Sequence, residues 1–175
     1  MNAAWMKQLD ARARQGDGQA CLTLYEQFKN ESGVEAARDW LDEALDSNSS
    51  SAQYAEGVLQ LVSGDVDNGI AFLDLSARND NVQAMNVLGQ LYLGNVNGVD
   101  SVAPDLDKGI AYLEQAAERG NVDAEILLGK CYFLGQWVKK NRFVSTYWLN
   151  KAAEQGSRTA ADLLENVLYV NNGLN

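Results

Sequence analysis

The sequence predicts an all-α fold of stacked helical hairpins. Three observations predict it: a segment that repeats itself, columns of one residue type at fixed offsets, and apolar spacing of helical period. The stretch "AYLEQAAERGNVDAEILLG", residues 111–129, returns 36 residues later as "YWLNKAAEQGSRTAADLLE", residues 147–165. Aligned on the small residue that opens each copy, the chain shows Ala20, Ala52, Ala84, Ala124 and Ala160, at separations of 32, 32, 40 and 36. Five residues further on stand Gly57, Gly89 and Gly129, with Tyr25 and Glu165 as exceptions. An aromatic-leucine pair precedes each of the last four alanines: Trp40-Leu41, Phe72-Leu73, Tyr112-Leu113 and Trp148-Leu149. Three residues before each aromatic comes a small residue, Ala37, Gly69, Gly109 or Ser145. Independent columns in one register point to architecture, so most of these residues are packing.

Each element follows from that register. In "AMNVLGQLYLG", Ala84, Val87, Leu88, Leu91 and Tyr92 fall at i, i+3, i+4, i+7 and i+8, one face of a helix. In "DKGIAYLEQAAERG", Ile110, Leu113, Ala116 and Ala117 do the same, and Gly120 stops the helix. First helices are therefore placed near 18–30, 51–63, 82–94 and 122–135, with second helices near 33–47, 66–79, 105–119 and 140–155. Residues 2–14, with Leu9 and Ala13 in matching columns, read as the second helix of a truncated opening unit, and 158–171 as a terminal helix. With 175 residues and 46% hydrophobic content, the chain is read as one domain, 1–175. A lone hairpin cannot bury its apolar face, so units must stack, and the four aromatics are expected in the core.

Composition bounds the chemistry. The chain has no histidine, which removes the commonest general base at neutral pH, the histidine-dependent nucleophile arrangements and the usual imidazole metal ligand. Cys21 and Cys131 lie 110 residues apart, a spacing that suits neither a close zinc site nor a disulfide framework, and both are read as reduced core thiols. No apolar run reaches a membrane span, and "MNAAWMKQLDARARQGD" lacks a signal-peptide pattern, so a cytoplasmic protein is expected.

The pattern "A...LG..Y" closed by a glycine two or three residues on, followed by "D..KG...L..AA..G", runs through Ala84–Gly94 with Asp105–Gly120. It returns in Ala124–Gly135 with Trp148–Gly156. In these residues the chain resembles the Sel1-like repeat family, relatives of tetratricopeptide repeats. The likeness is specific in the third and fourth units, fair in the second and weak in the first, where Tyr25 and Phe28 hold the glycine and tyrosine columns. It covers roughly residues 16–170. The resemblance implies a right-handed α-solenoid that binds proteins or peptides, with no catalytic residues to carry over.

Apparent catalytic signals have simpler explanations. "PDLDK", Pro104–Lys108, superficially resembles elements of metal-dependent nucleases, yet here it opens a helix, with Asp105 and Asp107 as cap and dipole partners. The loop from Asn95 to Asp107 gathers Asp100, Asp105 and Asp107 but lacks the ligand alternation and terminal Glu of a calcium loop, and reads as a surface insertion. No phosphate-binding glycine loop is present. Neither metal nor cofactor is expected, and no enzyme activity.

Charge is polarised. Residues 1–61 carry 10 acidic and 5 basic side chains, 62–125 carry 11 and 3, and 126–175 carry 3 and 6, for a net charge of −10. An acidic body disfavours nucleic acid and anionic membranes and favours a basic protein partner. Lys139, Lys140 and Arg142 form a basic turn, read as a solvated loop. Side chains two and six residues past each opening alanine should point away from the core, on the concave groove lined by the first helices. These columns hold Leu22, Tyr54, Asn86, Ile126 and Asp162, then Glu26, Val58, Gln90, Lys130 and Asn166. Their chemistry changes from unit to unit. We therefore take Glu26, Tyr54, Val58, Asn86, Gln90, Ile126, Lys130 and Asn166 as candidate partner-binding residues. The expected function is a non-catalytic interaction module, an adaptor or a small inhibitor. The alternatives are an immunity protein that occludes a toxin and a structural or regulatory subunit, to which the apolar end "LLENVLYVNNGLN" points.

Overall fold

The structure, a computed structural model, describes residues 3–13, 17–32, 34–96, 98–99 and 102–172. Among the described residues it contains ten α-helices and no strand: α1 (Ala3–Ala13), α2 (Gly18–Ser32), α3 (Val34–Asp46), α4 (Ser50–Ser63), α5 (Val66–Arg78), α6 (Val82–Tyr92), α7 (Leu106–Glu118), α8 (Val122–Leu134), α9 (Arg142–Glu154) and α10 (Arg158–Asn172). Every helix end lies within two residues of its expected place. Residues 2 and 14 of the expected opening helix, and Asp100 of the insertion, lie outside the described residues. The helices form two compact units, Met1–Asn81 and Val82–Asn175. In the first, α2 packs on α3 and α4 on α5, with α1 against α2; in the second, α6 packs on α7 and α8 on α9, with α7 against α8 and α10 against α9.

The starts of α2, α4, α8 and α10 have a local cause. A capping side chain three residues before the column alanine accepts its backbone N–H: Asp17 for Ala20 at 3.1 Å, Ser49 for Ala52 at 3.3 Å, Asn121 for Ala124 at 2.9 Å and Ser157 for Ala160 at 3.3 Å. Each cap satisfies one of the orphan donors of a helix start. Asp105 likewise caps α7 by accepting from Lys108 N–H at 3.0 Å, and Asp107 sits in its first turn, as the sequence predicts. Left-handed glycines close α4 and α8, Gly64 at φ 91° and Gly135 at φ 76°, a conformation that costs side-chain-bearing residues energy.

The glycine columns are points of close helix approach. A Cβ on Gly89 would meet Leu113 Cγ at 2.7 Å and the Gly109 carbonyl at 3.0 Å, so α6 and α7 touch backbone to side chain. Gly57 repeats this against Leu73 at 2.8 Å and the Gly69 carbonyl at 3.0 Å. On α8, a Cβ at Gly129 would lie 2.6 Å from Leu149 Cγ, and the Ser145 hydroxyl donates to the Gly129 carbonyl at 2.7 Å. Gly129→Ala should therefore destabilise the protein by up to about 2 kcal/mol in urea melts, because overpacking costs about 1–3 kcal/mol and the better helix propensity of Ala returns about 1. A gain in stability would show that Leu149 yields freely and that the column is not a steric requirement.

One packing expectation needs correction. Of the four column aromatics only Trp148 is buried, at 7% exposure, whereas Trp40, Phe72 and Tyr112 are half-buried. The fully buried column is the adjacent leucine: Leu41, Leu73, Leu113 and Leu149 are at most 1% exposed. The leucine takes the space that each facing small residue leaves, and the larger ring spreads along the edge of the contact. Tyr112, for example, stacks on Tyr92 with centroids 6.1 Å apart and rings 6° from parallel. In the first hairpin the position opposite Ala37 is filled by Tyr25, 1% exposed, in place of the glycine.

Candidate protein-binding surface

The variable columns of the first helices lie on two separate units. In the first, Glu26 on α2 is exposed and pairs with Lys29 at 2.6 Å, while Tyr54 and Val58 sit half-buried one turn apart on α4. In the second, Asn86 and Gln90 lie on α6, Ile126 and Lys130 on α8, and Asn166 on α10. Lys130 and Asn166 are exposed, and the Asn166 amide donates to the Asp162 carbonyl of its own helix at 2.9 Å. Ile126 is half-buried and packs against the cluster of Leu149, Ala152, Ala160 and Val167.

Asn86 departs from the expected outward position. It is only 9% exposed, and its side-chain oxygen accepts a hydrogen bond from the Gln90 amide at 3.3 Å. The two amides thus form one polar pair one turn apart, with Gln90 as the half-exposed member.

Buried polar groups mark where the two helices of one hairpin are clasped together, a feature the apolar pattern does not reveal. Gln53, 2% exposed, accepts from Asn79 at 2.9 Å and donates to Asn48 at 2.7 Å. Glu125 occupies the same place in its unit and accepts from Gln155, the equivalent of Asn79, at 2.8 Å. Its second oxygen has no hydrogen-bond partner among the described residues, and its side chain is fully buried. Burial raises the Glu125 carboxyl above its ordinary value and Glu154 adds to this, against the opposing pull of Lys151 and the Gln155 bond. A carboxyl raised in the fold favours the folded state below its unfolded value near 4.5, and that contribution disappears as pH rises through the folded value. Glu125→Gln should therefore gain stability over the native chain as pH rises above about 4.5. Paired urea melts across pH 4–8 check this, and a difference that stays flat or reverses would exclude a raised carboxyl.

Catalytic equipment is sparse. Both cysteines are free and buried, and burial pushes the Cys131 thiol up to about 11, far from a thiolate nucleophile at neutral pH. Among the described residues no group of three or more Cys, Asp or Glu side chains gathers to hold a metal ion. Also among them, no helix is long and apolar enough to cross a membrane.

An open groove of about 480 Å³ between α9 and α10 escapes the variable-column reading altogether. Arg142, Phe143, Thr146, Tyr147, Asn150 and Leu168 line it, and Phe143 is 90% exposed. A sequence signal existed. Five residues before each column aromatic the chain has Glu35, Asp67 and Asp107, then Phe143.

Comparison with known proteins agrees with this geometry. The family model described as Sel1 repeat matches residues 82–121 and 122–157. Among solved structures, the Sel1 repeat protein from Oxalobacter formigenes superposes with a TM-score of 0.77 at 28% identity, covering 93% of this chain and 48% of that one. A protective antigen present in uropathogenic Escherichia coli strains, which displays an SLR fold, gives 0.74 at 26% identity, covering 91% of this chain and 35% of that one. The chain thus spans about half and about a third of these two proteins. Among curated proteins none matches it. Residues 82–157 thus match two Sel1 repeats, and the chain shares the all-α solenoid fold of these Sel1 repeat structures.

Proposed function

We propose that residues 1–175 act as a single non-catalytic, cytoplasmic interaction domain that binds a basic protein on the surfaces of its first helices and works by occupancy. The observation that carries this reading is a fixed packing scaffold bearing side chains of changing chemistry: Glu26, Tyr54, Val58, Gln90, Ile126, Lys130 and Asn166. A recognition surface needs such variation on a rigid frame. Sel1 repeats typically bind other proteins, which supports the class of function. The basic partner follows from 21 acidic against 8 basic side chains in residues 1–125. The same excess disfavours nucleic acid and anionic membranes.

Affinity capture followed by mass spectrometry tests the reading. One stoichiometric basic partner supports an inhibitor of the immunity type, and several support an adaptor. Tyr54→Ala and Gln90→Ala should each weaken binding by about 1–2 kcal/mol where they are anchors, with little change in melting temperature. Association should slow as salt shortens the Debye length from about 10 Å at 0.1 M to about 3 Å at 1 M. An acidic partner whose binding ignores both salt and these substitutions would overturn the proposal.

A further inference from the structure

Helix α9 reverses the surface chemistry of its counterparts. The position five before the column aromatic is Glu35, Asp67 and Asp107 in the first three hairpins and Phe143 in the fourth. The position two after it is Asp42, Asp74 and Glu114, then Asn150. One before, Asp39, Ala71 and Ala111 give way to Tyr147; three after, Glu43, Leu75 and Gln115 give way to Lys151; six before, Val34, Val66 and Leu106 give way to Arg142. Two acidic columns are thus lost, and aromatics and cations appear together on the same helix.

The fold leaves this substitution in the open. Phe143 is 90% exposed, Tyr147 54% and Leu168 of α10 45%, around the groove of about 480 Å³. Among the described residues no carboxylate lines it. The Lys151 ammonium lies 5.6 Å from the centre of the Tyr147 ring, and the exposed Lys139 and Lys140 precede α9. The helix carries no acid before its last residue, Glu154. Asp67 and Asp107 in the first turns of α5 and α7 complement the helix dipole. A phenylalanine at that position contributes nothing to the dipole and stands in water, so the packing of α9 gives no reason for it.

We infer that the α9–α10 groove is a second docking site, which takes an acidic segment of a partner protein carrying an aromatic or branched aliphatic anchor. Phe143, Tyr147 and Leu168 receive the anchor, and Lys151, 5.6 Å from the Tyr147 ring, receives a flanking carboxylate. Charge complementarity selects this occupant: residues 126–175 are the one stretch with an excess of basic side chains, 6 against 3, on a chain of net charge −10. The excess of 21 acidic over 8 basic side chains in residues 1–125 disfavours an acidic ligand there. From Arg142 to Lys151 the helix rises about 14 Å, the span of about four residues of extended chain, so a short segment is enough. The site is independent of the first-helix surface and opposite to it in the charge it prefers.

Peptide-display selection on the full chain tests the site, with the native protein, Phe143→Asp and Tyr147→Ser as baits. Phe143→Asp restores the acid that the other units carry, and circular dichroism should show the helices and melting temperature unchanged. The native bait should enrich sequences with a net negative charge and one Phe, Leu or Trp. A fluorescein-labelled copy of the most enriched peptide should bind about tenfold more weakly to Phe143→Asp, lose affinity with rising salt, and bind Tyr54→Ala as it binds the native chain. Enriched sequences that are basic or neutral, or equal binding to Phe143→Asp, would overturn the inference. So would Phe143-dependent sedimentation with phosphatidylserine vesicles or Phe143-dependent self-association, which would assign the face to a membrane or to a second copy of the chain. Because Tyr54→Ala leaves this binding intact, failure here and failure of the first-helix proposal are separate results.

Discussion

Trp148→Ala should lower the unfolding free energy by about 3–5 kcal/mol, the cost of removing a large aromatic from a packed interior. Trp148 is 7% exposed, meets Tyr147 edge-on with centroids 4.9 Å apart, and has the Lys151 ammonium 5.1 Å from its ring centre. In an array where each hairpin relies on its neighbours, the loss should appear first in α8 and α9, as faster amide exchange there than in α6 and α7. A loss below about 1 kcal/mol in urea melts would remove Trp148 from the core. Trp40→Ala is the internal comparison: Trp40 is half-buried, so it leaves less of a cavity and should cost about half as much.

Arg38→Ala is expected to cost about 2–3 kcal/mol through Glu56, 18 residues away in the chain and on the next helix. Arg38 donates to Glu56 at 2.7 Å and pairs with Asp42 at 2.8 Å. The Glu56 side chain is 1% exposed, so without the guanidinium a buried carboxylate retains, among the described residues, the Gln60 amide at 2.6 Å. Breaking a fully buried pair costs about 3–5 kcal/mol, and the value here is lower because the Arg38 side chain is 40% exposed and water reaches it. Adding Glu56→Gln to Arg38→Ala should recover most of the loss, since the double variant leaves no unpaired buried charge. If Arg38→Ala costs less than about 0.5 kcal/mol, the pair behaves as an exposed one and Glu56 is solvated by other means.

Helix order, helix ends and the hairpin register were legible in the chain because each depends on near neighbours. Caps act over three residues, as Asn121 does on Ala124, and apolar spacing over seven or eight. The resemblance to Sel1 repeats was legible for the same reason, since a repeat is local order used again. The candidate site was less so. The variable columns could be numbered, but whether Asn86 faces water depends on what packs beside α6, and there it is buried against Gln90.

By itself, then, the sequence determined an all-α hairpin array, its columns of small residues, the cap at Asp105 and the polarity of its charge. Tertiary structure alone decided which member of each aromatic-leucine pair is buried, because that depends on the shape of the facing helix as well as on hydrophobicity. It also brought Arg38 onto α3 beside Glu56 on α4, and Gln155 beside Glu125, 18 and 30 residues apart in the chain. The break in the acidic columns at Phe143 was present in the sequence, but its meaning was not. A phenylalanine in a helix is core or surface according to whether another element covers it, and only the packing of α9 against α10 leaves Phe143 at the open mouth of a groove.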